Sequence, residues 1–373
     1  MKILLCPDKF KGSLTAMEIC ELLKDEISLH LPQASFDICP MADGGEGSLE
    51  ILSQNLEMDE ITTQTVDALG RPILASYYSF ENCAYIELAN TSGLVQLEPR
   101  ERNPMITSTY GTGIQIRDAI EKGFEKIYLF IGGSATNDGG IGIAKALGFQ
   151  FFDRRNNELD ANGESLSEIF RLEFSKGSID LPKIIVCSDV RNPPFGTDGA
   201  AHVYAAQKGA SKADIERLDQ GLINLCHQLQ LFSGIDCSLL AGGGAAGGVG
   251  ISLTALFGAE IKSGMAMISE ILDLEEKIKK ADIVISGEGK LDRQSLQGKV
   301  VSGVINLSRD HDKITMLVVG QNALSRIETL ELNINNVHSI MDYAQDLEDA
   351  MSNGKKYIRE IGRRIALDLK EDL

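Results

Sequence analysis

The sequence predicts an α/β protein of two domains, one of them made from both ends of the chain. Three observations carry this. The chain has 373 residues, and single hydrophobic cores stop growing beyond roughly 250 to 300. Short apolar runs alternate with helical periodicity at both ends, and the middle stretch breaks that alternation. A hydrophobic content of 43% is enough to fill cores and speaks against long disorder.

Residues 3–7 read as a strand. Over residues 15–29, Ala16, Ile19, Cys20, Leu23 and Ile27 fall on one face of a helix. Thr15 and Glu18 form a capping box at its start, and Pro32 marks the turn after it. Residues 36–41 make a second strand and residues 46–56 a second helix. Thr- and Tyr-rich segments follow at 61–66, 74–79 and 84–88, separated by Gly70-Arg71-Pro72 and Glu81-Asn82, and read as antiparallel strands. Glycine-rich segments then run to about residue 250, with apolar runs at 127–131 and 184–187. Alternation resumes with strands at 283–286, 314–319 and 337–341 and a long final helix over 344–369. Five strands alternating with helices at the two ends make an open, flavodoxin-like parallel sheet, interrupted by a second α/β domain. The expected domains are 1–62 with 281–373, and 63–280.

A formal net charge of -18 disfavours contact with nucleic acid backbones and anionic membranes. The apolar run at the start is too short for a signal peptide, no stretch reaches membrane-spanning length, and the expected location is the cytoplasm. The seven cysteines, Cys6, Cys20, Cys39, Cys83, Cys187, Cys226 and Cys237, contain no C-x-x-C pair. They read as small buried hydrophobes in a reducing compartment.

In open α/β sheets ligands bind beyond the carboxyl ends of the strands, so the residues after each apolar run are the informative ones. The end-domain strands lead into Pro7-Asp8-Lys9, Ala42-Asp43-Gly44-Gly45-Glu46-Gly47, Gly287-Glu288-Gly289-Lys290 and Gly320-Gln321-Asn322. In the middle domain, residue 131 leads into Gly132-Gly133-Ser134-Ala135-Thr136-Asn137-Asp138-Gly139-Gly140, and residue 187 into Ser188-Asp189-Val190-Arg191-Asn192. A single Asp-Gly pair is usually only a turn. Six polar loops at predicted strand ends point instead to phosphate chemistry, where glycine admits backbone N–H groups to an anion and carboxylates hold Mg²⁺.

Residues 242–250 formally match G-x-G-x-x-G but lack the preceding strand, and no His-Arg-Asp or Asp-Phe-Gly follows as in protein kinases. A helix start near Ala246 fits better, its N–H groups facing either an anion or a closely packed neighbour. There is no Walker A loop, and none of the five histidines lies in a glycine-framed loop. A nicotinamide-dependent oxidoreductase using residues 242–247 and a non-catalytic metabolite-binding protein are the competing classes.

Together, Pro7-Asp8-Lys9-Phe10-Lys11-Gly12-Ser13-Leu14-Thr15-Ala16, residues 42–47, Tyr110-Gly111-Thr112-Gly113, residues 132–140, Ser188-Asp189-Val190, Gln207-Lys208-Gly209-Ala210, residues 242–250 and residues 286–292 resemble the bacterial glycerate kinases of the first type. The resemblance spans nearly the whole chain. It implies ATP-dependent phosphorylation of D-glycerate with Mg²⁺, giving 2-phosphoglycerate or 3-phosphoglycerate. It also implies a restriction-endonuclease-like second domain, with the site in the cleft between the two. Asn90-Thr91-Ser92-Gly93 departs from the alanine-rich version expected there.

On this basis Asp189 is the expected catalytic base, Asp43 the second choice, and Lys9 a catalytic cation. Lys9, Lys11, Arg191 and Lys290 adjoin the acidic loops and would clamp glycerate or a phosphate. Ser134, Thr136, Asn137, Asp138 and Gly287 would bind substrate or phosphates, with Gly132 and Gly133 giving backbone access. Asp8, Glu46 and Glu288, with Asp43, are the expected Mg²⁺ ligands. The partners expected are D-glycerate and ATP, and a homodimer is left open.

Overall fold

The computed structural model describes residues 1–45, 47–175, 181–293, 295 and 300–371. The chain divides into two compact units, Met1–Asp43 with Met265–Leu373, and Gly44–Gly264. The strands are β1 (Lys2–Leu5), β2 (Ser35–Ile38), β3 (Asp59–Val66), β4 (Pro72–Phe80), β5 (Cys83–Glu87), β6 (Lys126–Phe130), β7 (Phe149–Phe152), β8 (Arg171–Phe174), β9 (Lys183–Cys187), β10 (Glu260–Lys262), β11 (Ile283–Leu291), β12 (Ile314–Asn322) and β13 (Asn336–Ser339).

The first unit holds one five-stranded sheet in the order β13-β12-β11-β1-β2, with every pairing parallel. Both faces are covered, which is why the strands read as unbroken apolar runs rather than alternating ones. On one face Ile3, Leu5, Ile283, Ile285, Met316 and Val318 pack against Ile19, Leu23 and Ile27 of the helix Ala16–His30 and Ile358, Ile361 and Ile365 of Gly354–Glu371. On the other, Leu317 and Val319 pack against Val301 and Ile305 of the helix Val300–Asp310. The Thr15–Glu18 capping box forms as expected, with the Glu18 N–H donating to Thr15 Oγ1 at 3.1 Å and the Thr15 N–H to Glu18 Oε2 at 2.9 Å.

The second unit carries a six-stranded sheet in the order β10-β9-β6-β5-β4-β3. Its β3, β4 and β5 are antiparallel neighbours, whereas β5, β6, β9 and β10 run parallel. The short strand β10 and the separate β7–β8 hairpin have no counterpart in the sequence reading, being only three and four residues long.

The compact units divide at 43/44 and 264/265, not at the expected 62/63 and 280/281. Residues 44–62 join the second unit because β3 pairs with β4 from Asp59 onward and because the Gly47 N–H, at the head of the helix Ser48–Asn55, donates to Glu87 at 2.7 Å. The helix Leu274–Lys280 belongs to the first unit, whose strand β1 it packs against. The final helix expected over 344–369 is two, Leu347–Ser352 and Gly354–Glu371. They part at Gly354, where a Cβ would stand 2.9 Å from Ser13 Oγ. All seven cysteines are free, and Cys83 alone is not buried. Among the described residues no helix is long and apolar enough to cross a membrane.

Candidate active site

In the first unit the ladder continues past the strand ends and gathers the loops. The Cys6 N–H donates to the Ile285 carbonyl, Asp8 N–H to Gly287, Cys39 N–H to Leu5 (each 2.8 Å) and Met41 N–H to Pro7 (2.9 Å). All four polar strand ends predicted for this sheet therefore reach one cavity of about 400 Å³. Asp8, Asp43 and Glu288 supply its carboxylates, Lys9, Lys11 and Lys290 its cations, and Gly289, Gly320 and Gln321 its backbone and amide groups. Phe10, Ile340, Leu347, Ala350 and Met351 form an apolar wall.

Burial, and next the charge of Asp43, push the Asp8 carboxyl up to about 7, and Glu288 adds to the rise. The Lys9 N–H, which donates to Asp8 Oδ1 at 2.7 Å, and the Lys9 charge act the other way. Lys290 reaches Asp292 at 3.4 Å. Gly287 has a packing reason to be glycine, since a Cβ there would lie 1.9 Å from the Val318 carbonyl oxygen of β12. Glu46 lies outside the described residues.

In the second unit the loop after β6 is held from several sides. Asp138 is fully buried, and its carboxylate accepts the Thr109 N–H and hydroxyl at 2.8 Å each, Gly140 N–H at 3.0 Å and Gly142 N–H at 3.3 Å. Expected among the substrate-binding residues, Asp138 has both oxygens engaged by the protein and fastens the start of the helix Ile141–Ala146. Burial raises its pKa against the pull of these donors. Ser134, Thr136 and Asn137 are buried on the same loop, and the Thr136 hydroxyl and both Asn137 amide atoms have no hydrogen-bond partner among the described residues. The hydroxyl of Thr91, the residue that departs from the expected pattern, meets Thr112 Oγ1 at 2.7 Å in a buried cluster with Ser92.

Residues 242–250 turn out to serve close packing. A Cβ on Gly247 would stand 2.2 Å from the Thr136 carbonyl oxygen, and one on Gly140 would stand 2.7 Å from that of Val249. The helix begins at Val249, three residues after the expected Ala246. After β9, Asp189 Oδ1 accepts the Ser263 hydroxyl at 2.5 Å, and Arg191 is exposed.

Residues 3–370 match the model of the glycerate kinase family. The chain belongs to the glycerate kinase family. It is an enzyme, as several similar proteins named glycerate kinase show. It is 34% identical to a glycerate kinase of Halalkalibacterium halodurans, over 98% of this chain and 97% of that one. To the glycerate 2-kinase of Escherichia coli it is 35% identical, over 99% and 98%. It superposes on a crystal structure of a Salmonella typhimurium LT2 protein assigned as glycerate kinase 2 with a TM-score of 0.86 at 35% identity, covering 100% of this chain and 99% of that one.

For this family member the expected residues fall into two sets. Asp8, Lys9, Lys11, Asp43, Glu288 and Lys290 share the cavity of the first unit. Ser134, Thr136, Asn137, Asp138, Asp189 and Arg191 sit on strand-end loops of the second. Sequence reasoning includes Lys208 of the second unit only within the Gln207–Ala210 segment and gives it no role; its ammonium donates to Ser134 Oγ at 2.8 Å and to the Thr136 carbonyl at 2.7 Å. Its signal was available: a lysine amid Ala200, Ala201 and Ala205, followed by glycine. Among the described residues no three His, Cys, Asp or Glu side chains converge as a ready-made metal cage.

Proposed function

We propose that the protein transfers the γ-phosphoryl group of ATP to a hydroxyl of D-glycerate, with Mg²⁺. The observation that carries the reading, beside family membership, is the single cavity combining three carboxylates with three lysines at the carboxyl ends of parallel strands. Phosphoryl transfer is mainly positioning and charge stabilisation, so it calls for both kinds of group together. The name of the Escherichia coli relative, a glycerate 2-kinase, favours 2-phosphoglycerate over 3-phosphoglycerate.

Asp8, Asp43 and Glu288 fit Mg²⁺ by their chemistry. They are hard oxygen donors, and their crowding, felt in the raised Asp8 carboxyl, is relieved by a cation. Mg²⁺ on a nucleotide uses only one or two protein carboxylates, so a closed cage is not required. When bound, the ion neutralises charge on the phosphoryl oxygens. Lys9, Lys11 and Lys290 bind the carboxylate of glycerate or the phosphates, with Arg191 as a further cation. Asp189, its carboxylate oriented by Ser263, accepts the proton of the attacking hydroxyl.

We read the first unit as flavodoxin-like, because counting its strands along the chain gives the order 2-1-3-4-5. The mixed sheet of the second supports the restriction-endonuclease-like reading. The cytoplasm is the proposed location, supported by seven free cysteines.

A coupled ADP-release assay across D-glycerate, L-glycerate, glycerol and other hydroxy acids, with the product position read by phosphorus NMR, tests the reaction. Absence of glycerate-dependent ADP release sinks it.

A further inference from the structure

Lys208 has no part in the reading above, yet it is the one Lys or Arg that is buried among the described residues, at 2% exposure. Burying an ammonium is costly unless it is paired. The usual compensation is not used here. Among the described residues no carboxylate lies within ion-pair distance of Lys208, and Asp138, whose charge favours the ammonium form, has its oxygens engaged by Thr109, Gly140 and Gly142. The side chain is nonetheless held in place. Gly209, which follows it at φ +97°, lies so close to Arg102 that a Cβ would stand 2.1 Å from the Arg102 carbonyl oxygen.

The direction of the bond to Ser134 has a chemical consequence. In its ammonium form Lys208 only donates, so Ser134 Oγ is then the acceptor at 2.8 Å and its own proton points elsewhere. No protein acceptor for that proton is found among the described residues. On the same loop the Thr136 hydroxyl and both Asn137 amide atoms are buried without a partner among the described residues. A buried polar group without a protein partner takes one from outside the chain, a water or a ligand.

We propose that Lys208 is a positioning residue for phosphoryl transfer, holding Ser134 as a hydroxyl donor toward an anionic oxygen of the substrates, with Thr136 and Asn137 beside it. The anionic oxygen belongs to the hydroxy-acid carboxylate or to the phosphoryl group being transferred. The inference rests on the glycerate kinase reaction proposed above.

Steady-state kinetics on Lys208→Met, Ser134→Ala, Ser134→Thr and the Lys208→Met/Ser134→Ala double variant, varying glycerate and ATP separately, test it. Each of the first two should lose about a hundredfold in kcat/KM, as when one preorganised anion donor is removed. The double variant should lose no more than the worse single one, and Ser134→Thr, which keeps the hydroxyl, should recover most of the activity. A loss confined to the KM for glycerate assigns the anion to the carboxylate, and a loss in kcat assigns it to the phosphoryl group. The proposal is overturned if either single variant stays within about threefold of wild type, or if the two losses multiply in the double variant. Should Lys208→Met fail to fold, the Ser134 pair decides, since an active Ser134→Ala is sufficient to overturn it. Wild type inactive on glycerate removes the reaction and this inference together, whereas active wild type with unaffected variants removes this inference alone.

Discussion

Asp138 accepts both the backbone N–H and the side-chain hydroxyl of Thr109, each at 2.8 Å, and so ties the loop after β6 to the residue preceding the helix Tyr110–Glu121. Asp138→Ala would strand these donors and those of Gly140 and Gly142 in a fully buried place. Each orphaned donor costs about 1 to 3 kcal/mol. A fall of several degrees in Tm is expected, and an unchanged melting curve would contradict the structural role.

Lys208 makes the pH dependence of stability measurable. Burial pushes its ammonium down to about 7 from an ordinary 10.5. Between those values the unfolded chain binds a proton that the folded chain does not, so this group makes stability rise with pH, by up to about 1.4 kcal/mol per pH unit. Above the unfolded value the dependence ends. Urea unfolding of wild type and Lys208→Met from pH 7 to 10 should show the slope in wild type and its loss in the variant. Parallel curves would place the ammonium in a more solvated setting.

Asp43 should control Asp8. With its carboxyl raised to about 7, Asp8 holds a proton in the folded state that the unfolded chain has lost, so its contribution to stability is present at low pH and falls as pH rises from about 4 to 7. Asp43→Asn removes the second-largest cause of the rise. A carboxyl carbon NMR titration should therefore show the Asp8 midpoint lowered in that variant, and lowered in wild type by added Mg²⁺. A midpoint indifferent to both would remove the carboxylates from the metal reading.

Gly287→Ala separates packing from catalysis. Its Cβ would press on the Val318 carbonyl 1.9 Å away and wedge β11 from β12. Overpacking against backbone costs about 1 to 3 kcal/mol or more. Loss of Tm should accompany any loss of activity, while a fully stable variant with a raised KM would restore a binding role to this glycine.

Asp189→Asn should lower kcat by about a hundredfold or more with modest change in KM, as for removal of a general base. Near-normal turnover would move the role to another carboxylate, Asp43 first.

Much of the architecture was legible because local signals agree. The Thr15–Glu18 box, the apolar face through Ile27 and the continuous apolar runs of β1, β11 and β12 all specify their elements before any long-range contact is known. The same local reading misplaced the unit boundaries, because the helix Ser48–Asn55 is assigned by partners such as β5, and helical periodicity does not name partners. It joined Leu347–Ser352 to Gly354–Glu371 because the close approach of Gly354 to Ser13 spans most of the chain.

The candidate site shows the same division. By itself the sequence determined that acidic, glycine-framed loops end the strands, and hence the class of chemistry, since residue type and strand-end position are local properties. Only the tertiary structure decided which polar groups converge and which are consumed internally. It put Asp8, Asp43 and Glu288 on one cavity, engaged Asp138 with backbone donors, turned the glycines near 247 to packing, and drove Lys208 beneath Ser134. The physical reason is that burial and hydrogen-bond satisfaction depend on neighbours distant in sequence, and identical side chains become structural or chemical according to which donors and acceptors the fold brings to them.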